Sequence, residues 1–491
     1  MKVLFIYPHT LGFGDIPIAL TTLSAVLHKA GHEVRVFNCS RYANVEYVLT
    51  KKEDYGMVKP APKPPVVLPE LKRLSDLKND LSGVINEYRP ELIGVTATTA
   101  IFPLGLECCK IAKNALPESI TIFGGIHPTI CPDEVIAENS VDIVCIGEGE
   151  DVIVELCNTL DQKKSIRNIK NLWVKDPDNP ERITRNKLRP FIDMNNLPVQ
   201  DFQNFSEYEF YRPFDGNVYK MLHTELSRGC VFDCSYCVNH HLKAVLSESG
   251  RYHRLKSPEI AVRQIKELKS KYNFQIVRFW DEDFTVFPSD YIKKLSVLYR
   301  KEIGLPFLIY AGTRSITEEK VSYLKKMGCV TIAMGIESGN YWMRKYVLNR
   351  NITDENIIEK FQIVKRSGIR VTTYNMIGFP FETRDMVFDT IELNRKVKAA
   401  MSGVWPFKPF PKTRLTSLAK EYGMIKKDPD YCSIESEMCT PYLNEKDING
   451  LVRTFSFYVK VPRRLFPLLE KCEKDEAIAK QKLSSLVKYL K

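Results

Sequence analysis

Twice along this chain, short apolar runs alternate with stretches of helical spacing, and that rhythm permits few folds. In the first 160 residues the runs are 3–7, 33–37, 92–97, 121–124 and 141–146, with helical patterns between them. Five strands alternating with helices predict an α/β domain: an open, doubly wound parallel sheet of flavodoxin or Rossmann type. Such sheets bind ligands at the carboxyl ends of their strands. Residues 221–415 repeat the rhythm, with candidate strands at 223–227, 276–280, 307–311, 330–335, 371–377 and 403–407. Six strand–helix units predict a partial or full (β/α) barrel, whose chemistry sits at the strand C-termini. Between the two, residues 161–220 are polar and turn-rich and read as a linker with room for a small hairpin. Residues 416–491 read as a helical C-terminal region. The Pro-rich stretch at 59–65 suits neither a central strand nor a helix interior and is expected on the surface.

The chain has 491 residues, 44% hydrophobic and 27% charged, which suits globular domains with real cores. No apolar run reaches the roughly 18 residues of a membrane span. The start, MKVLFIYP, lacks a secretion signal, so a cytoplasmic location is expected. The net charge of +11 is spread along the chain without a nucleic-acid-type arm and reads as a solvated basic surface. Of the 13 cysteines, most sit singly in apolar segments as small hydrophobes, and no disulfide framework is expected.

The exception is Ser227-Arg228-Gly229-Cys230-Val231-Phe232-Asp233-Cys234-Ser235-Tyr236-Cys237. Three thiolates within eight residues, directly after a strand, can wrap one cubane iron–sulfur cluster and leave its fourth iron open. A structural zinc site is the alternative, because His240 and His241 lie close by in sequence.

With the aromatic Tyr236 before the third cysteine, this segment resembles the signature of the radical S-adenosylmethionine (SAM) enzymes. Further matches follow later strands in order: Asp281-Glu282-Asp283, Gly335-Ile336-Glu337-Ser338-Gly339, Gly378-Phe379-Pro380 and Pro409-Phe410-Pro411. The resemblance implies a [4Fe–4S] cluster on Cys230, Cys234 and Cys237 that chelates SAM. It implies SAM contacts from Tyr236, Asp281, Asp283, Gly335, Ser338, Gly378 and Pro380. Glu337 becomes a candidate for the ribose or amino group, and Arg314 for the carboxylate.

A doubly wound domain ahead of such a barrel is similar to the cobalamin-binding branch of the family, and this likeness spans nearly the whole chain. It implies cobalamin contacts at strand ends: Pro8, Gly12, Thr96, Thr98, Gly124, Gly125, His127, Gly147 and Glu148. Small residues there let backbone approach a flat macrocycle. Other cobalamin proteins carry Asp-x-His-x-x-Gly after the first strand. Here the stretch is Tyr7-Pro8-His9-Thr10-Leu11-Gly12, without the orienting carboxylate. The resemblance therefore implies base-off cobalamin with no histidine on cobalt.

Together the cofactors imply a C-methyltransferase. A 5′-deoxyadenosyl radical would abstract hydrogen from an unactivated carbon of a small-molecule or lipid-like substrate. Methylcobalamin would supply the methyl group, and a flavodoxin- or ferredoxin-type partner the electrons. No nucleic-acid partner is expected. A cobalamin-dependent cyclisation or carbon–carbon coupling is the main alternative. A methylthiotransferase fits less well, because Cys39, Cys108, Cys109 and Cys145 do not form its second cluster pattern, and a non-catalytic cobalamin carrier would not need the cysteine loop.

Overall fold

The computed structural model describes residues 1–9, 16–43, 64–427, 429–433 and 435–490. Gly12 and the Pro-rich stretch up to residue 63 lie outside the described residues. The described chain forms two compact units, one centred on residues 1–43, 64–223 and 241–256, the other on 224–240 and 257–490.

The first unit is built on a seven-stranded sheet in the order β2-β1-β3-β4-β5-β6-β7. Its strands are β1 (Lys2–Tyr7), β2 (Glu33–Asn38), β3 (Leu92–Thr96), β4 (Ile120–Gly124), β5 (Ile143–Cys145), β6 (Leu172–Lys175) and β7 (Ile183–Arg185). The pairings from β2 through β5 are parallel, as the strand–helix alternation requires. Fully buried runs such as Val3, Leu4 and Ile6 reflect a sheet covered on both faces. Strands β6 and β7 add an antiparallel hairpin from within the polar segment 161–220. A second hairpin joins Tyr211–Phe214 to Asn217–Thr224. Its turn, Asp215-Gly216, has φ of 49° and 80°, the left-handed pair of a type I′ turn.

The second unit carries five consecutive parallel strands: β8 (Ile276–Phe279), β9 (Phe307–Gly312), β10 (Cys329–Glu337), β11 (Arg370–Ile377) and β12 (Met401–Pro406). The strand entering the cysteine loop is tied to them where Trp280 N–H donates to Thr224 O at 2.9 Å. Helices return between strands with one apolar face inward. Ser289–Glu302, for example, buries Ile292, Leu295, Ser296 and Tyr299, at helical spacing. Helix starts are fixed by Ser257, Thr317, Thr353, Thr383 and Thr413, each accepting a backbone N–H of the first turn. Three further helices, Glu445–Lys460, Phe466–Lys474 and Glu476–Leu486, close an apolar core with Phe379, Phe407 and Phe455. The parallel βα repeat puts all strand C-termini of this unit on one rim, and every cysteine-loop contact below lies there.

Candidate active site

The cysteine loop is held in shape by groups other than its thiols. Asp281, directly after β8, accepts from Leu226 N at 3.0 Å, Ser227 N at 2.6 Å and Ser227 Oγ at 2.5 Å. Burial pushes its carboxyl up to about 7 against these hydrogen bonds. Further along, Ser235 N–H donates to Leu348 O at 3.2 Å, Ser235 Oγ donates to Val347 O at 2.5 Å, and Leu415 N–H donates to Ser235 O at 3.0 Å. Asp283 organises the next turn. It accepts from Thr285 N at 2.9 Å and from Ser315 Oγ at 2.8 Å, beneath the end of β9.

Positive charge and amide donors converge on the sulfurs. Arg314 Nη2 lies 3.7 Å from Cys234 Sγ, and its guanidinium stacks over the Phe232 ring at 3.7 Å. Arg350 Nη1 lies 3.8 Å from the same sulfur and donates to Tyr236 OH at 3.2 Å. Asn239 Nδ2 donates to Cys237 Sγ at 3.5 Å. As thiols, Cys230 and Cys237 are pushed up to about 12 and about 11, mainly by burial. A metal centre would displace those protons, and the donors around the sulfurs would then stabilise thiolate charge. This donor set fits an iron–sulfur cluster.

Arg350 was not evident from the sequence. Nearly buried, it donates to Gly335 O at 3.0 Å and sits 3.8 Å from Glu337 Oε1. Fully buried Arg344 sets its position. That side chain donates to Ser338 O at 2.9 Å and Ile352 O at 3.1 Å and pairs with Asp354, drawing the turn after β10 against the loop carrying Arg350.

Glu337 ends β10 in the left-handed region, at φ 67°. A non-glycine residue held there stores strain, as functional sites often do. Its carboxyl folds back over Gly335, where a Cβ would lie 2.1 Å from Oε1, so any larger residue there would push the carboxyl aside. Burial pushes Glu337 upward and Arg350 opposes it. Glu337, Arg350, Arg314 and Tyr236 thus gather around Cys234, a set able to hold the carboxylate, amino and hydroxyl groups of SAM. Ser338 is buried in the turn, its carbonyl taken by Arg344. Gly378 N and Phe379 N donate to Glu382 Oε2 at 2.6 and 3.2 Å, and Pro380 is buried beside them.

In the first unit, Pro8, Thr96, Gly124 and Gly147 follow or end β1, β3, β4 and β5, on the sheet's carboxyl edge. Thr98 is exposed there. Gly125 has φ 103°, and a Cβ on it would lie 2.8 Å from Ala97 O. His127 is buried; its Nε2 has no hydrogen-bond partner among the described residues but faces Glu134 Oε1 at 3.7 Å, and burial pushes the ring down to about 4, which keeps it neutral. This edge of small residues fits a large flat cofactor approached by backbone, the shape of cobalamin. Glu148 is engaged elsewhere. It holds Arg254 at 2.7 Å and accepts from Ile192 N at 3.1 Å. His9 stacks on Tyr7, with ring centroids 5.4 Å apart.

Residues 224–393 match the Radical SAM superfamily, and residues 73–157 match the B12 binding domain. The chain belongs to the cobalamin-binding radical SAM enzymes, and its cofactors are a [4Fe–4S] cluster, SAM and cobalamin. An uncharacterised methyltransferase of Pyrococcus horikoshii is 26% identical over 392 residues, 78% of this chain and 82% of its own length. The cytidylyl-2-hydroxyethylphosphonate methyltransferase of Streptomyces wedmorensis is 23% identical, covering 77% of this chain and 73% of its own length. The anaerobic magnesium-protoporphyrin IX monomethyl ester cyclase of Rubrivivax gelatinosus is 24% identical, over 71% of this chain but 62% of the cyclase. The fold is that of the radical SAM methyltransferase TsrM from Kitasatospora setae, with TM-score 0.64, 17% identity and coverage of 87% and 77% of the two chains. The cobalamin-dependent radical SAM enzyme OxsB gives TM-score 0.66 at 15% identity, covering 98% of this chain and 72% of that one. No helix among the described residues is long and apolar enough to cross a membrane.

Proposed function

We propose that this enzyme transfers a methyl group to an unactivated carbon of a small-molecule or lipid-like substrate. The observation that supports it is mutual coverage. The two methyltransferase relatives are matched over 82% and 73% of their lengths, whereas the Rubrivivax cyclase is matched over 62%. When bound, the cluster, SAM and cobalamin supply the radical and methyl-transfer chemistry. The chain's residues hold and orient. Cys230, Cys234 and Cys237 hold the cluster. Arg350 and Arg314 bring positive charge to the SAM carboxylate, and Glu337 accepts from its amino or hydroxyl groups. Thr96, Thr98, Gly124, Gly125 and His127 hold cobalamin. Asp281 and Ser235 keep the cysteine loop fixed while these groups act. A flavodoxin- or ferredoxin-type protein delivers the electrons.

The test is anaerobic: the reconstituted chain, reductant, and SAM labelled in its methyl group, with and without cobalamin. Methyl transfer requires S-adenosylhomocysteine to form only when cobalamin is present, alongside 5′-deoxyadenosine. Deoxyadenosine alone, with cobalamin bound, would remove the methyltransferase reading in favour of cyclisation or coupling, the chemistry named for the cyclase relative.

A further inference from the structure

The five parallel strands of the second unit present two unlike faces. On one, Phe279, Phe284, Tyr299 and Phe307 pack as a fully buried core under the helices. The opposite face carries a band of aromatic rings. Trp280 stacks on Tyr310 at 5.4 Å, Tyr310 on Tyr374 at 6.0 Å, and Tyr374 meets Trp405 at 5.1 Å. The register explains why the rings meet. Tyr310 pairs with Ala333 and Tyr374 with Gly335, so β10 contributes only small side chains between them and the rings close over it. Trp405 lies against Gly403, where a Cβ would sit 2.7 Å from the indole. The band is not sealed: Trp405 is 45% exposed, and Trp280, Tyr310 and Tyr374 are half-buried. A guanidinium is built into one end, Arg278 lying 4.1 Å over Trp280 and donating to Tyr310 OH.

We propose that this band is the enzyme's substrate shelf and that its occupant is a planar, conjugated molecule bearing an anionic group. The inference rests on the enzymatic reading above and narrows its substrate class. Aromatic faces favour flat π systems by offset stacking. A saturated lipid would be met instead by branched aliphatic side chains, which the rings displace here. Arg278 supplies the complementary charge while its plane continues the stack. The band spans β8 to β12, four strand spacings or roughly 19 Å, wider than a single bicyclic ring. Its position also suits chemistry, because Gly335, level with Tyr374, lies two residues, about 7 Å, before Glu337.

The experiment uses three probes on the intact, cluster-loaded chain: 1-pyrenecarboxylate (flat, anionic), 1-pyrenemethanol (flat, neutral) and cholate (anionic, saturated). Equilibrium dialysis should show 1-pyrenecarboxylate bound and not displaced by cholate. Trp280→Leu and Tyr374→Leu should each weaken it roughly tenfold, and Trp280→Phe by less than about threefold, since a ring remains. Arg278→Gln should weaken 1-pyrenecarboxylate severalfold and leave 1-pyrenemethanol unchanged. Iron content and far-ultraviolet circular dichroism check folding, and the two leucine variants lie on separate strands, so either one suffices. The proposal is overturned if cholate competes equally, if both leucine variants bind as wild type, or if Trp280→Phe loses as much as Trp280→Leu. No methyl transfer is needed for the readout. A chain that binds the flat acid but forms no S-adenosylhomocysteine loses the methyltransferase reading and keeps this one.

Discussion

Replacing Gly335 with alanine is a one-carbon test of how Glu337 is placed. The added Cβ would lie 2.1 Å from Glu337 Oε1 and 3.1 Å from its Cδ. Ordinary contact needs about 3.4 Å or more, so the carboxyl must retreat by roughly 1 Å. It has little freedom to do so, because its backbone is already left-handed at φ 67° and its charge faces Arg350 at 3.8 Å. Gly335 itself is still paired with Gly312 and Tyr374, just before the register shift that leads to Glu337, so the fold should lose only the roughly 1–3 kcal/mol typical of local overpacking. A displaced carboxylate loses one charge-assisted hydrogen bond to SAM, about 1.5–3 kcal/mol, or roughly ten- to hundredfold in affinity. The assay is anaerobic calorimetry of SAM binding to cluster-loaded Gly335→Ala beside Glu337→Gln, with iron and cobalamin content measured in parallel. Both variants should bind SAM at least about tenfold more weakly while keeping both cofactors. If Gly335→Ala binds SAM within about twofold of wild type while Glu337→Gln does not, the steric argument is wrong.

Reconstitution should give about four irons per chain, abolished in Cys230→Ala, Cys234→Ala and Cys237→Ala alike; stoichiometric zinc surviving all three would point to a different centre. Burial pushes Glu382 up to about 8 from an ordinary 4.5. Its contribution to stability is therefore complete below pH 4.5, falls as pH rises and is gone near pH 8, at up to about 1.4 kcal/mol per pH unit. Glu382→Gln should flatten that slope in urea unfolding without abolishing it, because Asp281, pushed up to about 7, and the upward-shifted carboxyls of Asp283, Glu282, Glu337 and Glu209 also contribute; an unchanged slope would clear Glu382. Paramagnetic resonance of bound cob(II)alamin should show no protein nitrogen splitting, and a splitting that vanishes in His9→Ala or His127→Ala would identify a ligand instead.

Much of this architecture was legible because it follows local rules. Parallel strands covered on both faces must be written as apolar runs, and three ligands to one cluster can sit on one loop. The polar segment 161–220 suggests one small hairpin in a linker, but it holds two that extend the sheets; polar residues around Asp215-Gly216, a strong turn signal, mask the alternation of the strands on either side. Arg350 escaped for another reason. It reaches Cys234 only because buried Arg344 folds the intervening turn, and no periodicity in sequence records such a contact. Asp281 was visible as a carboxylate at a strand end, but its hydrogen bonds to Leu226 and Ser227, 55 and 54 residues earlier, appear only in three dimensions.

Those bonds bear on what losing the cluster would do to the loop. The cysteine loop is anchored at its root by Asp281 and near its tip by Ser235, which bonds to Val347, Leu348 and Leu415. None of these anchors is a metal ligand. A chain stripped of iron by oxidation should therefore keep its loop poised rather than collapse it, unlike domains whose folding depends on the metal itself. Damage then calls for new iron and sulfide, not for a new protein, and the cell can treat the cluster as a replaceable part.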